Sequence, residues 1–178
     1  VAERAPIHAN RLRAYWGKFF GWLVENDWIE ASPVLGVTRP APERSRDRFL
    51  AQSEIPSVWQ AFEIAGPAFS SMMKILLLTG QREGEIAALR WSEVVGLDSE
   101  DPKIELSQER TKNHKPHIIP LAPQAAEIIK AQPRFKGGIY VFTSGDGTNH
   151  LKGFSKGKAK IDTALSEAGV TMPPWRIH

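Results

Sequence analysis

Lys74–Trp91, KILLLTGQREGEIAALRW, decides how the rest of the chain is read. Ile75–Leu78 is apolar on every side and follows Met72 and Met73, which predicts a buried helix. Thr79-Gly80 breaks it, since glycine is the usual residue just past a helix end. A second helix is expected at once, because Arg82, Glu85, Ile86 and Leu89 fall at i, i+3, i+4 and i+7 on one face. Arg82 then sits in a first turn on the inward stripe, where a helix terminus favours anions. An anion shared by Arg82 and the backbone N–H groups would remove that conflict, with Glu85 holding the guanidinium. A plain Arg82–Glu85 ion pair at the core edge accounts for the local pattern as well.

Downstream, Val94-Val95 reads as a short strand, and Lys103–Leu106 alternates polar and apolar like a strand with one buried face. His117–Leu121 is its expected partner, with Pro120 at an edge or a strand end. Between them lies a basic connection, Arg110-Thr111-Lys112-Asn113-His114-Lys115-Pro116, which an ordinary exposed turn also explains. A helix is expected over about 123–132, then a short apolar strand at Tyr140-Val141-Phe142. A last helix is expected over about 153–168, with Phe154, Ile161 and Leu165 inward and Lys152, Lys156 and Lys160 on the other side.

Upstream, Ser53 is the expected cap of a helix carrying Ile55, Val58, Trp59 and Phe62 on one stripe. Before it, residues 38–48, TRPAPERSRDR, lose all apolar periodicity and carry Arg39, Arg44, Arg46 and Arg48. A solvated linker and a linker lying along a phosphate backbone fit this stretch equally. Earlier still, Leu12, Tyr15, Trp16, Phe19, Phe20 and Leu23 recur at helical spacing after Pro6. This aromatic content is more than one and a half helices can bury alone.

The chain has 178 residues, 42% of them hydrophobic, enough for one domain or two small ones. With no cysteine it has neither disulfides nor a thiolate metal site. His114 and His117 could ligate a metal from a turn, but without carboxylate support they carry little weight. No apolar run reaches the length of a membrane span, and no P-loop pattern occurs. The net charge of +3 and pI near 9.3 permit nucleic-acid binding without requiring it.

Thr79-Gly80-Gln81-Arg82-Glu83-Gly84-Glu85-Ile86 followed by Leu89-Arg90-Trp91 resembles the first-arginine signature of the tyrosine recombinases, the phage-integrase family. Thr111–Leu121 resembles the family's hairpin lysine and following strand, with Lys112 in the lysine position. Trp175-Arg176-Ile177-His178 resembles the approach to its His-x-x-Arg motif, with His178 as the histidine. Three motif positions in order favour a phosphate clamp over the plain ion pair.

The resemblance implies an α+β fold, mainly helical with a small antiparallel sheet. It implies the end of a helical core-binding domain over 1–37, a basic linker over 38–48 and a catalytic domain over 49–178. The family's second arginine and nucleophilic tyrosine are expected beyond His178, since Tyr15 and Tyr140, the two tyrosines present, do not match that position. The implied chemistry is metal-free and cofactor-free transesterification of double-stranded DNA through a 3′-phosphotyrosine. Arg82, Lys112 and His178 are the expected catalytic residues, Glu85 the support, and Arg39, Arg44, Arg46, Arg48 and Lys115 the DNA contacts. The resemblance further implies tetramers on DNA and a cytoplasmic, nucleoid-associated setting in a bacterium or phage host, with no membrane partner. A non-catalytic DNA-binding regulator with the same fold is the competing reading, and a generic helical domain with surface charge is the third.

Overall fold

The computed structural model describes residues 4–39, 41–42 and 48–177. The chain divides into two compact units, Val1–Arg48 and Phe49–His178.

In the first unit, α1 (Pro6–Glu25) starts on a proline, which the first turn tolerates, and ends at Asn26. Its one buried residue is Asn10, which pairs with the Ala41 backbone in both directions, at 2.8 Å as donor and 3.3 Å as acceptor. Arg13 donates to the Val37 carbonyl, so the returning segment is tied to the helix by polar bonds. The aromatic residues stay outside: Tyr15, Trp16, Phe19, Trp22 and Trp28 are all exposed. They pack on one another instead, Trp16 stacking on Phe20 and Trp22 on Trp28.

The second unit is mostly helical with one small sheet, and its core is continuous. Helix α2 (Ile55–Ala61) does not use Ser53 as its cap; Glu54 is the N-cap, and its carboxylate accepts the Ala51 N–H at 2.6 Å. With Ser53 as cap the N3 position would be Pro56, which has no N–H to give. A single 3₁₀ turn over Phe62–Ala65 follows, then α3 (Pro67–Thr79). Met72, Met73, Ile75 and Leu76 are buried as expected, but Leu78 is 36% exposed, so one edge of α3 meets solvent. Gly80, at φ 64°, ends α3 in the left-handed conformation open to glycine.

Helix α4 (Glu83–Ala87) is much shorter than the periodicity predicted. Leu89 closes it with a bond to the Ile86 carbonyl three residues back. The backbone then turns extended at Arg90, which bridges to Tyr140. Leu89 is fully buried, so the apolar spacing was correct although the conformation was not.

Strands β1 (Val94–Val95), β2 (Lys103–Leu106) and β3 (His117–Pro120) form an antiparallel sheet in that order. The register sets Ile104 opposite Ile119 and Leu106 opposite His117. Pro120 ends the edge strand β3, where its missing N–H breaks no ladder. Tyr140-Val141-Phe142 is not a strand of this sheet. It is a buried crossing held by single bonds, from the Val141 N–H to Leu89 and from the Leu151 N–H to the Phe142 carbonyl.

Helix α5 (Pro123–Lys130) buries Ala125, Ala126 and Ile129. Helix α6 (Phe154–Glu167) buries Gly157, Ile161 and Leu165 and leaves Lys152, Lys156 and Lys160 exposed. The Phe69 ring lies against Gly157 so closely that a Cβ there would come within 2.3 Å of a ring carbon. Among the described residues no helix is long and apolar enough to cross a membrane.

Candidate functional site

Arg82 occupies the N-cap position of α4 in extended conformation, not its first turn. The side chain consequently leaves the core and is 53% exposed. Among the described residues one bond holds it, from Nη1 to Glu85 Oε1 at 2.7 Å. Glu85 is buried, its side chain only 7% exposed, and among the described residues its Oε2 has no hydrogen-bond partner. A buried carboxylate paired with a half-exposed guanidinium fixes where the cation sits while leaving most of its donors facing outward.

The loop between β2 and β3 comes to the same carboxylate. The Lys112 backbone N–H points at Glu85 Oε1 from 3.4 Å, across 27 residues of sequence. Thr111, just before it, is 3% exposed. Its hydroxyl donates to the Lys115 carbonyl at 2.7 Å and accepts the Lys115 N–H at 3.1 Å. That brace curls the loop tip and turns the side chains of Lys112, Asn113 and Lys115 to solvent. His114 at the tip takes φ 52°, a left-handed value for which histidine is one of the better-suited residues after glycine.

Between the Arg82 turn and this loop lies a cleft of about 250 Å³, lined among others by Gln81, Arg82, Thr111, Asn113, Lys115 and His117. His117 closes one side through a bond to Gln81 Oε1 at 3.1 Å. The Gln81 amide nitrogen donates to the Thr79 carbonyl at 3.0 Å, so its oxygen is the atom left for the histidine, which must donate. The cleft thus offers a guanidinium, an ammonium and an amide around a small polar space. That is the donor set for a tetrahedral oxyanion such as a phosphodiester.

A second recess, shallower and of about 590 Å³, runs along the start of α6 and is lined by Glu83, Phe154, Lys156, Trp175, Arg176 and Ile177. The chain leading to its end therefore arrives beside Glu83, the neighbour of Arg82. Burial pushes the Glu83 carboxyl above its ordinary value. Trp175 anchors this segment; it is 8% exposed and lies under Lys158 Nζ at 4.0 Å.

Of the residues expected from sequence, Arg82, Glu85, Lys112 and Lys115 converge on one region. His178, Arg44 and Arg46 lie outside the described residues. Arg39 is exposed and Arg48 half-buried, both in the first unit. Gln81, Thr111 and His117 were not anticipated as lining; Gln81 and Thr111 are chain neighbours of Arg82 and Lys112, but the His117 contact spans 36 residues and has no local signal. Tyr140 packs its ring edge-on against His150 at 5.4 Å. Among the described residues no three His, Asp or Glu side chains come together as metal ligands would.

Residues 48–176 match the family model described as the phage integrase family. The prophage integrase IntZ of Escherichia coli K12 is 31% identical over 96% of this chain and 47% of its own length. Tyrosine recombinase XerC of Pelotomaculum thermopropionicum is 32% identical over 71% of this chain and 42% of its own. The chain thus spans about half the length of the curated relatives it matches. The crystal structure of a lambda integrase (75–356) dimer bound to a COC′ core site superposes with a TM-score of 0.66. The superposition covers 96% of this chain and 59% of that one at 19% identity, which shows a shared fold.

Proposed function

Since the chain belongs to the phage integrase family, we propose that it carries the phosphate-binding and proton-donating part of a site-specific tyrosine recombinase acting on double-stranded DNA. One observation supports this above the others: Glu85 Oε1 holds both the Arg82 guanidinium and the Lys112 backbone N–H at the edge of one polar cleft. Two cationic residues distant in sequence are thereby brought to a single carboxylate, which neither a surface ion pair nor an ordinary turn requires.

In the proposed reaction a tyrosine oxygen attacks the scissile phosphorus, forming a 3′-phosphotyrosyl bond as the bond to the 5′-oxygen breaks. Charge accumulates on the non-bridging oxygens, and Arg82 binds them through donors not used on Glu85. The 5′-oxygen is a poor leaving group until protonated, and Lys112 supplies that proton. His178 is assigned a hydrogen bond to the phosphate or a share in proton transfer. Lys115, Arg39, Arg44, Arg46 and Arg48 are assigned to the duplex backbone, where each displaced counterion adds affinity. In this reading residues 1–37 end a DNA-gripping domain, 38–48 link it to the catalytic domain, and the working form is a tetramer on paired duplexes in the bacterial cytoplasm. The nucleophile in this reading is a tyrosine outside these 178 residues, since neither Tyr15 nor Tyr140 matches the family's position for it.

The test is the leaving group. In the recombinase, Lys112→Ala lowers cleavage by about 10²–10⁴-fold, the usual worth of a general acid. A duplex with sulfur in place of the 5′-bridging oxygen leaves without a proton and restores the rate. If the sulfur substrate remains as slow as the oxygen one, Lys112 is not the proton donor.

A further inference from the structure

Like Lys112 two residues on, Arg110 is cationic and is not among the residues lining the cleft. Its guanidinium is turned to the protein. Nε donates to Glu93 Oε1 at 2.5 Å, and Nη2 reaches Glu93 Oε2 at 3.3 Å. Nη2 also donates to the Ala88 carbonyl at 2.6 Å and approaches the Glu85 carbonyl at 3.4 Å. Both side chains are largely buried, Arg110 20% and Glu93 10% exposed. Glu93 is fixed in turn, its Oε2 accepting the Arg90 N–H at 2.8 Å.

The two carbonyls belong to the C-terminal end of α4, where helix carbonyls lack partners and a cation is favoured. Arg110 therefore clamps the root of the β2–β3 loop to the far end of the helix whose near end carries Arg82. The Lys112 N–H and Glu85 make a second tie two residues on. Thr111, buried between the two ties, braces the loop internally.

We propose that Arg110 is a positioning residue for the proposed chemistry: with Glu93 it staples the loop root to α4, so that Lys112 stands in register with Arg82 before DNA arrives. The inference rests on reading Lys112 as the proton donor. Only a planar fork can meet both Glu93 oxygens and the Ala88 carbonyl together; a lysine keeps the charge and loses that geometry. Displacements near 1 Å at a reacting group cost on the order of 10²-fold in rate, so a loose root matters even though Arg110 touches no substrate.

The test uses Arg110→Lys and Glu93→Gln, both milder than truncation to alanine. In the 178-residue chain, amide hydrogen exchange at Lys112 and Lys115 is expected to accelerate by about tenfold or more, the worth of a charged hydrogen bond. Exchange at Ile75 and Ile104, in the core, stays unchanged and shows that the fold is intact. In the recombinase the same variants lower cleavage at saturating duplex by about 10- to 100-fold, with duplex affinity within about twofold. The 5′-sulfur substrate recovers most of that loss. Unchanged exchange at Lys112, or a cleavage defect the sulfur substrate leaves in place, overturns the proposal. If exchange accelerates while Lys112→Ala itself leaves cleavage untouched, the staple stands and the reading of Lys112 as proton donor falls.

Discussion

The two ends of α4 each carry an arginine beside a glutamate, and the pairs are built to opposite ends. At the N-terminal end Arg82 is 53% exposed and makes one bond to its glutamate. At the C-terminal end Arg110 is 20% exposed and bonds a carboxylate and two backbone carbonyls. The same side chain is a ligand-seeking group in one place and a structural tie in the other. What separates them is the number of donors the protein leaves unmatched, not charge, since both lie next to a buried acid.

Paired substitutions break or sustain that contrast. Arg82→Ala is expected to lower DNA cleavage in the recombinase by about 10³-fold, the scale seen when an oxyanion donor is removed. Its stability should fall by about 1–2 kcal/mol, since Glu85 loses its guanidinium but water can enter where the half-exposed side chain stood. Arg110→Ala should instead destabilise the fold by about 3 kcal/mol, because Glu93 is left buried and uncompensated. Denaturant melts with cleavage assays on both variants decide it; equal stability losses would erase the distinction.

A third arginine sharpens the picture at lower amplitude. Arg39 is exposed and far in sequence from either glutamate. If it contacts duplex backbone, Arg39→Ala weakens binding equally for all sequences and lowers the log–log salt slope by about 0.9. A slope unchanged between about 50 and 200 mM salt would leave Arg39 with no phosphate contact.

The smallest expected effect belongs to Glu83, the residue between Arg82 and the recess beside α6. Burial raises its carboxyl above the ordinary 4.5. The folded state then holds a proton that the unfolded state has released, so stability falls as pH rises from 4.5 through the folded value. Glu83→Gln should flatten that part of the stability–pH curve and stabilise the protein modestly above it. An identical slope in both proteins would mean that Glu83 is solvated like an unfolded carboxylate.

The elements that set this geometry were legible where a local pattern has one physical solution. Met72, Met73, Ile75 and Leu76 followed by Gly80 gave a buried helix with a left-handed stop. The alternation of Lys103–Leu106 and the proline at 120 gave a two-strand unit with its edge correctly placed. The spacing of Arg82, Glu85, Ile86 and Leu89 found three inward residues, Glu85, Ile86 and Leu89, and placed Arg82 inward where it is half-exposed. It misjudged the backbone, because Arg90 is drawn into a bridge with Tyr140 that no window around α4 contains. The apolar triplet at Tyr140 failed as a strand for the same reason: burial there is met by single bonds to Leu89 and Leu151, not by a ladder. Arg110–Glu93 spans 17 residues between unrelated elements. Only the closed core makes such a pair, so from sequence Arg110 was just one residue of a basic connection and Glu93 gave no signal.

Gly157 has a mechanical consequence. Phe69 fills the space where any other residue would put its first carbon, and Phe69 lies near the start of α3. That helix is thirteen residues long, a rod of about 20 Å at 1.5 Å per residue, and it ends at the Gly80 bend that aims Arg82. Interiors packed at crystal density pass displacement on rather than absorb it. A methyl group at 157 is therefore a push on the long arm of a lever. Where the Phe69 ring tip does not swing aside, that load reaches α3 at one end and the bend at the other, so a change invisible from the cleft is felt at its guanidinium.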